Sequence, residues 1–307
     1  MKSEFIFETA PFASCHASTI VEIGKGELMA AWFGGTHESA PDVCIWASRT
    51  SAGKWSNPVK IADGKGYACY NPVLFQPSKG PLLLFYKVGR GPQTWWGMMT
   101  RSSDEGLTWS TPERLPKGVF GPIKSKPVEL RDGTILCGSS DEGAGWRVHF
   151  EATRDYGKTW KVTPPLNDGI QLKAIQPSIL TLSAKHVRAI GRTQNNKLFS
   201  IDSLDQGRTW GPMRLSDVPN PNSGTDALTL KDGRHLLVYN PSTTHGTPLA
   251  VAISTDAEHW SKMLTLEDQP GEYSYPAVVQ GFDGLVQITY TWQRTRIKHV
   301  VIDPTKF

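Results

Sequence analysis

A short signature ending in tryptophan recurs along this chain about every fifty residues. "SSDEGLTW" ends at Trp109, "TRDYGKTW" at Trp160 and "SLDQGRTW" at Trp210. Degraded copies, "STDAEHW" and "SRTSAGKW", end at Trp260 and Trp55. Successive tryptophans lie 54, 51, 50 and 50 residues apart. Each position of S/T-x-D-x-G-x-T-W has a physical task. The Asp accepts hydrogen bonds from amides of its own loop, the Gly supplies the positive φ of a tight turn, and the Trp ring buries between neighbouring sheets. Turns repeated this faithfully are scaffold, so these aspartates are read as structural rather than catalytic. A fixed period of this length marks an array of supersecondary units that bury their faces on one another.

A second repeat runs out of phase with the first. "HASTI" opens at His16, "NPVLF" at Asn71, "KPVEL" at Lys126, "QPSIL" at Gln176, "DALTL" at Asp226 and "YPAVV" at Tyr275. Each is a polar residue leading a short apolar strand. A turn usually follows (Lys25-Gly26, Asp132-Gly133, Asp232-Gly233, Asp283-Gly284), then a second strand, then a third that runs into the tryptophan signature. Six units of four antiparallel strands predict an all-β, six-bladed β-propeller forming a single domain over 1–307. The last unit supplies only three strands before Phe307. "SEFIFE", residues 3–8, is expected to pair with it and close the ring.

Composition narrows the function classes. Hydrophobic content of 38% and charged content of 20% fit a folded chain. A net charge of +4 with both signs interspersed argues against a nucleic-acid partner. The cysteines (Cys15, Cys44, Cys69, Cys137) form no C-x-x-C pair, which indicates neither a zinc site nor a disulfide framework. No apolar run is long enough to span a membrane, and "MKSEFIFETAPF" lacks the apolar stretch of a signal peptide. A cytoplasmic location without a membrane partner is the expectation. No cofactor is expected. The acidic residues are compatible with a channel cation but show no ligand spacing.

In an up-and-down blade the tryptophan signatures and the first turns share one face. The starts of the innermost strands and the ends of the second strands share the other, where pockets of closed β architectures open. The inner starts bring His16, Asn71, Lys126, Gln176, Asp226 and Tyr275. The second-strand ends and their loops add Glu38, Asp42, Lys87, Arg192, Asn240, Tyr290 and Arg294. Such a set holds bases, acids, a nucleophile and anion binders. Asn71 and Gln176 also have a plain structural reading, since X-Pro steps start strands.

The tryptophan signature resembles the Asp box of sialidase-like β-propellers, over the whole chain. Sialidases open their first blade with an Arg-Ile-Pro motif whose arginine grips the substrate carboxylate; here the matching stretch is "CHAST", with His16 at that place. A second expected arginine is matched by Asn240 in "VYNPS". The resemblance makes Tyr275 the nucleophile and Glu38 or Asp42 the acid/base. "APFASCHAST", "NPVLF", "GPIKSKPVEL" and "NPNSGTDALTLKDGR" are more similar to a group that includes rhamnosyl-glucuronate lyases and α-L-rhamnosidases.

These residues imply an enzyme acting on an acidic oligosaccharide. The favoured reading is elimination at an L-rhamnose-α-1,4-D-glucuronate linkage, with His16 as base or acid and Tyr275 or Tyr290 as its partner. Catalytic roles thus fall on His16, Tyr275, Glu38 and Asp42, and substrate binding on the other nine. The alternatives are a sialidase-like or rhamnosidase hydrolysis and a non-catalytic glycan-binding propeller that uses Trp32, Trp95, Trp96, Trp146 and Trp292.

Overall fold

Each fifty-residue period builds one antiparallel sheet, and there are six. The computed structural model describes all residues except Lys25 and Ala144, so the expected Lys25-Gly26 turn lies outside the described residues. Blade 1 is Ser14–Gly24, Glu27–Gly35 and Cys44–Ser51, with Lys54–Trp55 and Val59–Ala62 on its outer edge. Blade 2 is Ala68–Phe75, Leu82–Gly89, Trp96–Ser102 and Glu113–Arg114. Blade 3 is Val128–Glu129, Ile135–Asp141, Arg147–Thr153 and Lys161–Val162; blade 4 is Ala174–Thr181, Val187–Thr193, Lys197–Ser203 and Arg214–Pro219. Blade 5 is Asp226–Thr229, His235–Tyr239, Leu249–Ser254 and Ser261–Glu267. Blade 6 is Tyr273–Gln280, Val286–Trp292 and Arg296–Ile302, completed by Lys2–Phe5. The fold is an all-β six-bladed β-propeller. Its contacts divide it into two units: Met1–Gly121 with Tyr275–Phe307, carrying blades 1, 2 and 6, and Pro122–Ser274, carrying blades 3 to 5.

The N-terminal strand pairs with the last blade as expected, in the register Lys2↔Val301 to Phe5↔Lys298. It is shorter than residues 3–8. Ile6 and Phe7 turn inward instead, where Phe7 stacks on Trp32 at 5.0 Å beside Ile297. Burying those two apolar side chains stabilises the closure more than two further edge pairs would.

The repeated signature is the turn it was read to be. Asp205 Oδ1 accepts from the Thr209 amide at 2.8 Å and Oδ2 from the Thr209 hydroxyl at 2.6 Å, while Ser203 Oγ accepts from the Gly207 amide at 2.8 Å. Asp155 and Asp104 make the same bonds to Thr159 and Thr108. These donors hold the Asp155 and Asp104 carboxyls down at about 2, so they remain anionic turn staples. The tryptophans seal blade against blade. Trp210 stacks on the buried Phe150 with ring centroids 3.7 Å apart and an interplanar angle of 7°.

The innermost strands carry a shared irregularity that corrects the sequence alignment. Their ladders break between His16 and Thr19, Tyr70 and Val73, and Ile175 and Ser178. The bulge residue that follows each break is left-handed: Ala17, Asn71 and Gln176, and likewise Tyr275 in blade 6. His16 is therefore in register with Tyr70 and Ile175, one residue ahead of Asn71 and Gln176. Asn71 and Gln176 are buried at their bulges.

Candidate functional site

In the first unit two inner strands bring a histidine and a tyrosine together. His16, 2% exposed, lies one residue before the left-handed Ala17, and Tyr275 is itself the left-handed residue of blade 6. A bulky residue at φ 52° is strained; here the bulge aims its ring at His16. The ring centroids are 4.2 Å apart. His16 Nδ1 shares a 2.9 Å hydrogen bond with the Thr291 hydroxyl, which also accepts from the Ala17 amide at 3.2 Å. Thr291 thereby fixes the ring's orientation. Phe33 packs edge-on to His16, and Tyr70 edge-on to Phe33, so an aromatic wall backs the pair.

A charged pair stands at the same end. The hairpin turn at Gln293 and Arg294 has two left-handed residues, as a tight antiparallel connection requires, and closes with Thr295 N on Trp292 O at 3.2 Å. Arg294 O accepts from the Cys15 amide at 2.7 Å, one residue from His16, while the Arg294 guanidinium donates to Glu38 at 2.6 Å. Both side chains stay partly exposed. Asp42 is elsewhere in the blade 1 loop: one of its oxygens accepts from both the amide and the hydroxyl of Thr36. Those bonds, the Thr36 hydroxyl foremost, hold its carboxyl below the usual range, which suits a loop staple and not a proton donor.

Other sequence candidates are buried inside their strands. Lys87 and Tyr290 lie within their strands with no exposed surface, and burial alone separates them from the rim residues they were grouped with. Trp32 and Trp95 are buried in packing, whereas Trp96 and Trp292 are half-buried beneath Arg114 and Arg296.

The second unit holds its own polar cluster. Asp226 is buried, with Lys126 Nζ 3.0 Å from one oxygen and the Ser178 hydroxyl and Ala227 amide at 2.9 and 3.0 Å from the other. Lys124, which sequence reading passed over, is buried and donates to Thr225 O at 2.7 Å. Burial pulls its pKa down to about 7 against the attraction of Asp226, with Lys126 and Arg192 pulling the same way as burial. Its sequence signal was the i, i+2 lysine pair in "IKSKP". Arg192 lies over Trp146 and donates to Asn222 O at 3.0 Å. Asn240 is fully buried, its Nδ2 facing the carbonyls of Gly246, Pro248 and Tyr273, so it clamps loops instead of meeting a substrate. Lys126 and Asp226 are joined to each other and present no open charges of the kind the sequence suggested.

Among the described residues, no three His, Cys, Asp or Glu side chains converge as metal ligands. No helix among them is long and apolar enough to cross a membrane.

Comparison with known proteins agrees with the architecture. Residues 26–288 match the model of the BNR repeat-like domain. A Bacteroides fragilis sialidase is 22% identical over 66% of this chain, which spans 42% of that protein's length. Among solved structures, a protein of unknown function from Dyadobacter fermentans superposes with a TM-score of 0.83 at 18% identity, covering 98% of this chain and 97% of its own. The NanB sialidase of Streptococcus pneumoniae superposes with a TM-score of 0.83 at 12% identity, over 99% of this chain and 71% of its own.

Proposed function

We infer this protein's chemistry from one premise: the chain belongs to the family of BNR repeat-like domains. Its similarity to proteins named sialidases supports a sugar-cleaving enzyme acting on a glycan. The observation that carries the finer reading is the His16–Tyr275 contact at 4.2 Å, with the imidazole fixed by Thr291. Two proton-transfer groups of different basicity stand in contact, which suits elimination beside a carboxylate.

In that step His16 takes the proton from the carbon next to a uronate carboxylate. The electron pair becomes a carbon–carbon double bond as the bond to the glycosidic oxygen at the next carbon breaks. Tyr275 gives its phenolic proton to the leaving oxygen, and rhamnose departs. Negative charge builds on the carboxylate as the proton leaves, and the Arg294 guanidinium is the unit's candidate for stabilising it. The products are free rhamnose and an unsaturated uronate at the end of the remaining glycan.

A hydrolytic reading rests on the sialidase likeness, with Tyr275 as nucleophile and Glu38 as the assisting carboxylate. The two readings separate on a glycan ending in rhamnosyl-glucuronate. Elimination releases rhamnose with an equal gain in ultraviolet absorbance; release without that gain establishes hydrolysis. His16→Ala and Tyr275→Phe are each expected to lower kcat by about 10² to 10⁴. Glycan binding that survives His16→Ala in a protein that never cleaves would point to a binding module.

A further inference from the structure

Blade 2 carries a second depression outside the His16–Tyr275 contact. It is a cavity of about 350 Å³ lined by Ser39, Pro41, Gly66, Tyr67, Ala68, Gly89 and Arg90, at the small end of ligand-sized pockets. Its walls are built by tight backbone. A Cβ on Gly64 would lie 1.9 Å from the Tyr67 carbonyl, so only glycine permits the turn that raises Tyr67. A Cβ on Gly89 would lie 2.6 Å from Trp95 Cα, so the floor is glycine as well. Tyr67 is 41% exposed, and its ring packs against Trp96, edge-on at 5.3 Å. Arg114 in turn stacks on Trp96 at 4.6 Å. Among the described residues, no carboxylate pairs with Arg90 or Arg114.

We propose that this groove binds a further acidic sugar ring of the substrate, beyond the linkage that is cleaved; this rests on the glycan-cleaving reading above. A supported aromatic ring offers a face to the C–H groups of a pyranose. A guanidinium with no protein carboxylate beside it offers paired donors to a uronate or sulfate. Ser39 adds a hydroxyl and stands next to Glu38, whose carboxylate is paired to Arg294, so the groove adjoins the proposed cleavage site. The ligand class is therefore an acidic oligosaccharide longer than a disaccharide.

The experiment compares two substrates with the same cleavable end: the methyl glycoside of rhamnosyl-glucuronate and an acidic arabinogalactan carrying that end. Tyr67→Ala and Arg90→Ala, both at exposed positions, are expected to raise KM for the polymer about tenfold and leave the disaccharide within about twofold. In parallel, calorimetry measures a short oligogalacturonate on the full chain and on Arg90→Ala, with about tenfold weaker binding expected in the variant. If neither substrate is cleaved, the glycan-cleaving reading falls, and the calorimetric loss still locates the acidic-sugar groove. Equal effects on both substrates, unchanged KM for the polymer, or oligogalacturonate binding that is absent or indifferent to Arg90 overturns the proposal.

Discussion

Replacing Lys126 by Met decides whether the polar cluster of the second unit is architecture or an open ligand site. Lys126 Nζ is 3.0 Å from Asp226, whose side chain is 2% exposed while the lysine's is 19%. At an effective dielectric of about 20, opposite charges at this distance attract by about 5 kcal/mol. Desolvation offsets much of that, but truncating one partner leaves the other charge buried, which costs about 3 to 5 kcal/mol. The lower end applies here, because Asp226 keeps the Ser178 hydroxyl and the Ala227 amide. Lys126→Met should therefore destabilise the protein by about 3 kcal/mol. The assay is urea unfolding followed by tryptophan fluorescence, with the midpoint shifting and the m-value unchanged. Asp226→Asn, and then the double variant, complete a cycle. The double should be less destabilised than the sum of the singles by about 1 to 2 kcal/mol. A Lys126→Met protein within about 0.5 kcal/mol of the parent, with no coupling to Asp226, would refute the structural reading. If that same variant also bound acidic glycan more weakly, Lys126 would return to the substrate.

Three further outcomes follow from other parts of the fold. His299 accepts from Trp55 Nε1 at 3.3 Å and bonds Gln287 at 2.8 Å, with Glu4 at 3.4 Å and Lys2 further along the N-terminal strand; burial depresses its pKa. The unfolded chain thus binds the proton more readily. Stability contributed by neutral His299 is present above about pH 6.5 and is lost as pH falls below it; chemical denaturation between pH 5 and 8 should show this slope, flattened in His299→Gln. Asp205→Ala removes the acceptor from one signature turn and should cost about 1 to 2 kcal/mol by denaturant midpoint. Its turn belongs to blade 4, which carries neither His16 nor Tyr275, so kcat should hold. In the first unit, Thr291→Val leaves the imidazole without its orienting hydroxyl; kcat should fall about tenfold or more with KM little changed, and a matching change in KM alone would count against an orienting role.

Much of the fold was legible because turns are local. Asp, Gly, Thr and Trp within eight residues specify a hairpin with the side chain–backbone bonds that Asp205 makes, and the fifty-residue period repeats it. The pairing of the N-terminal strand followed from counting strands. Its length did not, because Ile6 and Phe7 find apolar partners only after distant segments assemble.

The site was legible in its types of residue and less so in their surroundings. Sequence placed His16 and Tyr275 at inner-strand starts, but only the bulges at Ala17 and Tyr275 bring the two rings into contact. Lys87, Tyr290 and Asn240 read as rim groups because polarity is visible in a sequence and burial is not. Lys126 and Asp226 sit a hundred residues apart, and nothing in their local patterns announces the ion pair they form. The sequence by itself determined an all-β array of repeated blades, since hairpin chemistry acts over a few residues. Tertiary structure decided which polar groups meet solvent and which neutralise one another, since desolvation and pairing depend on neighbours far along the chain.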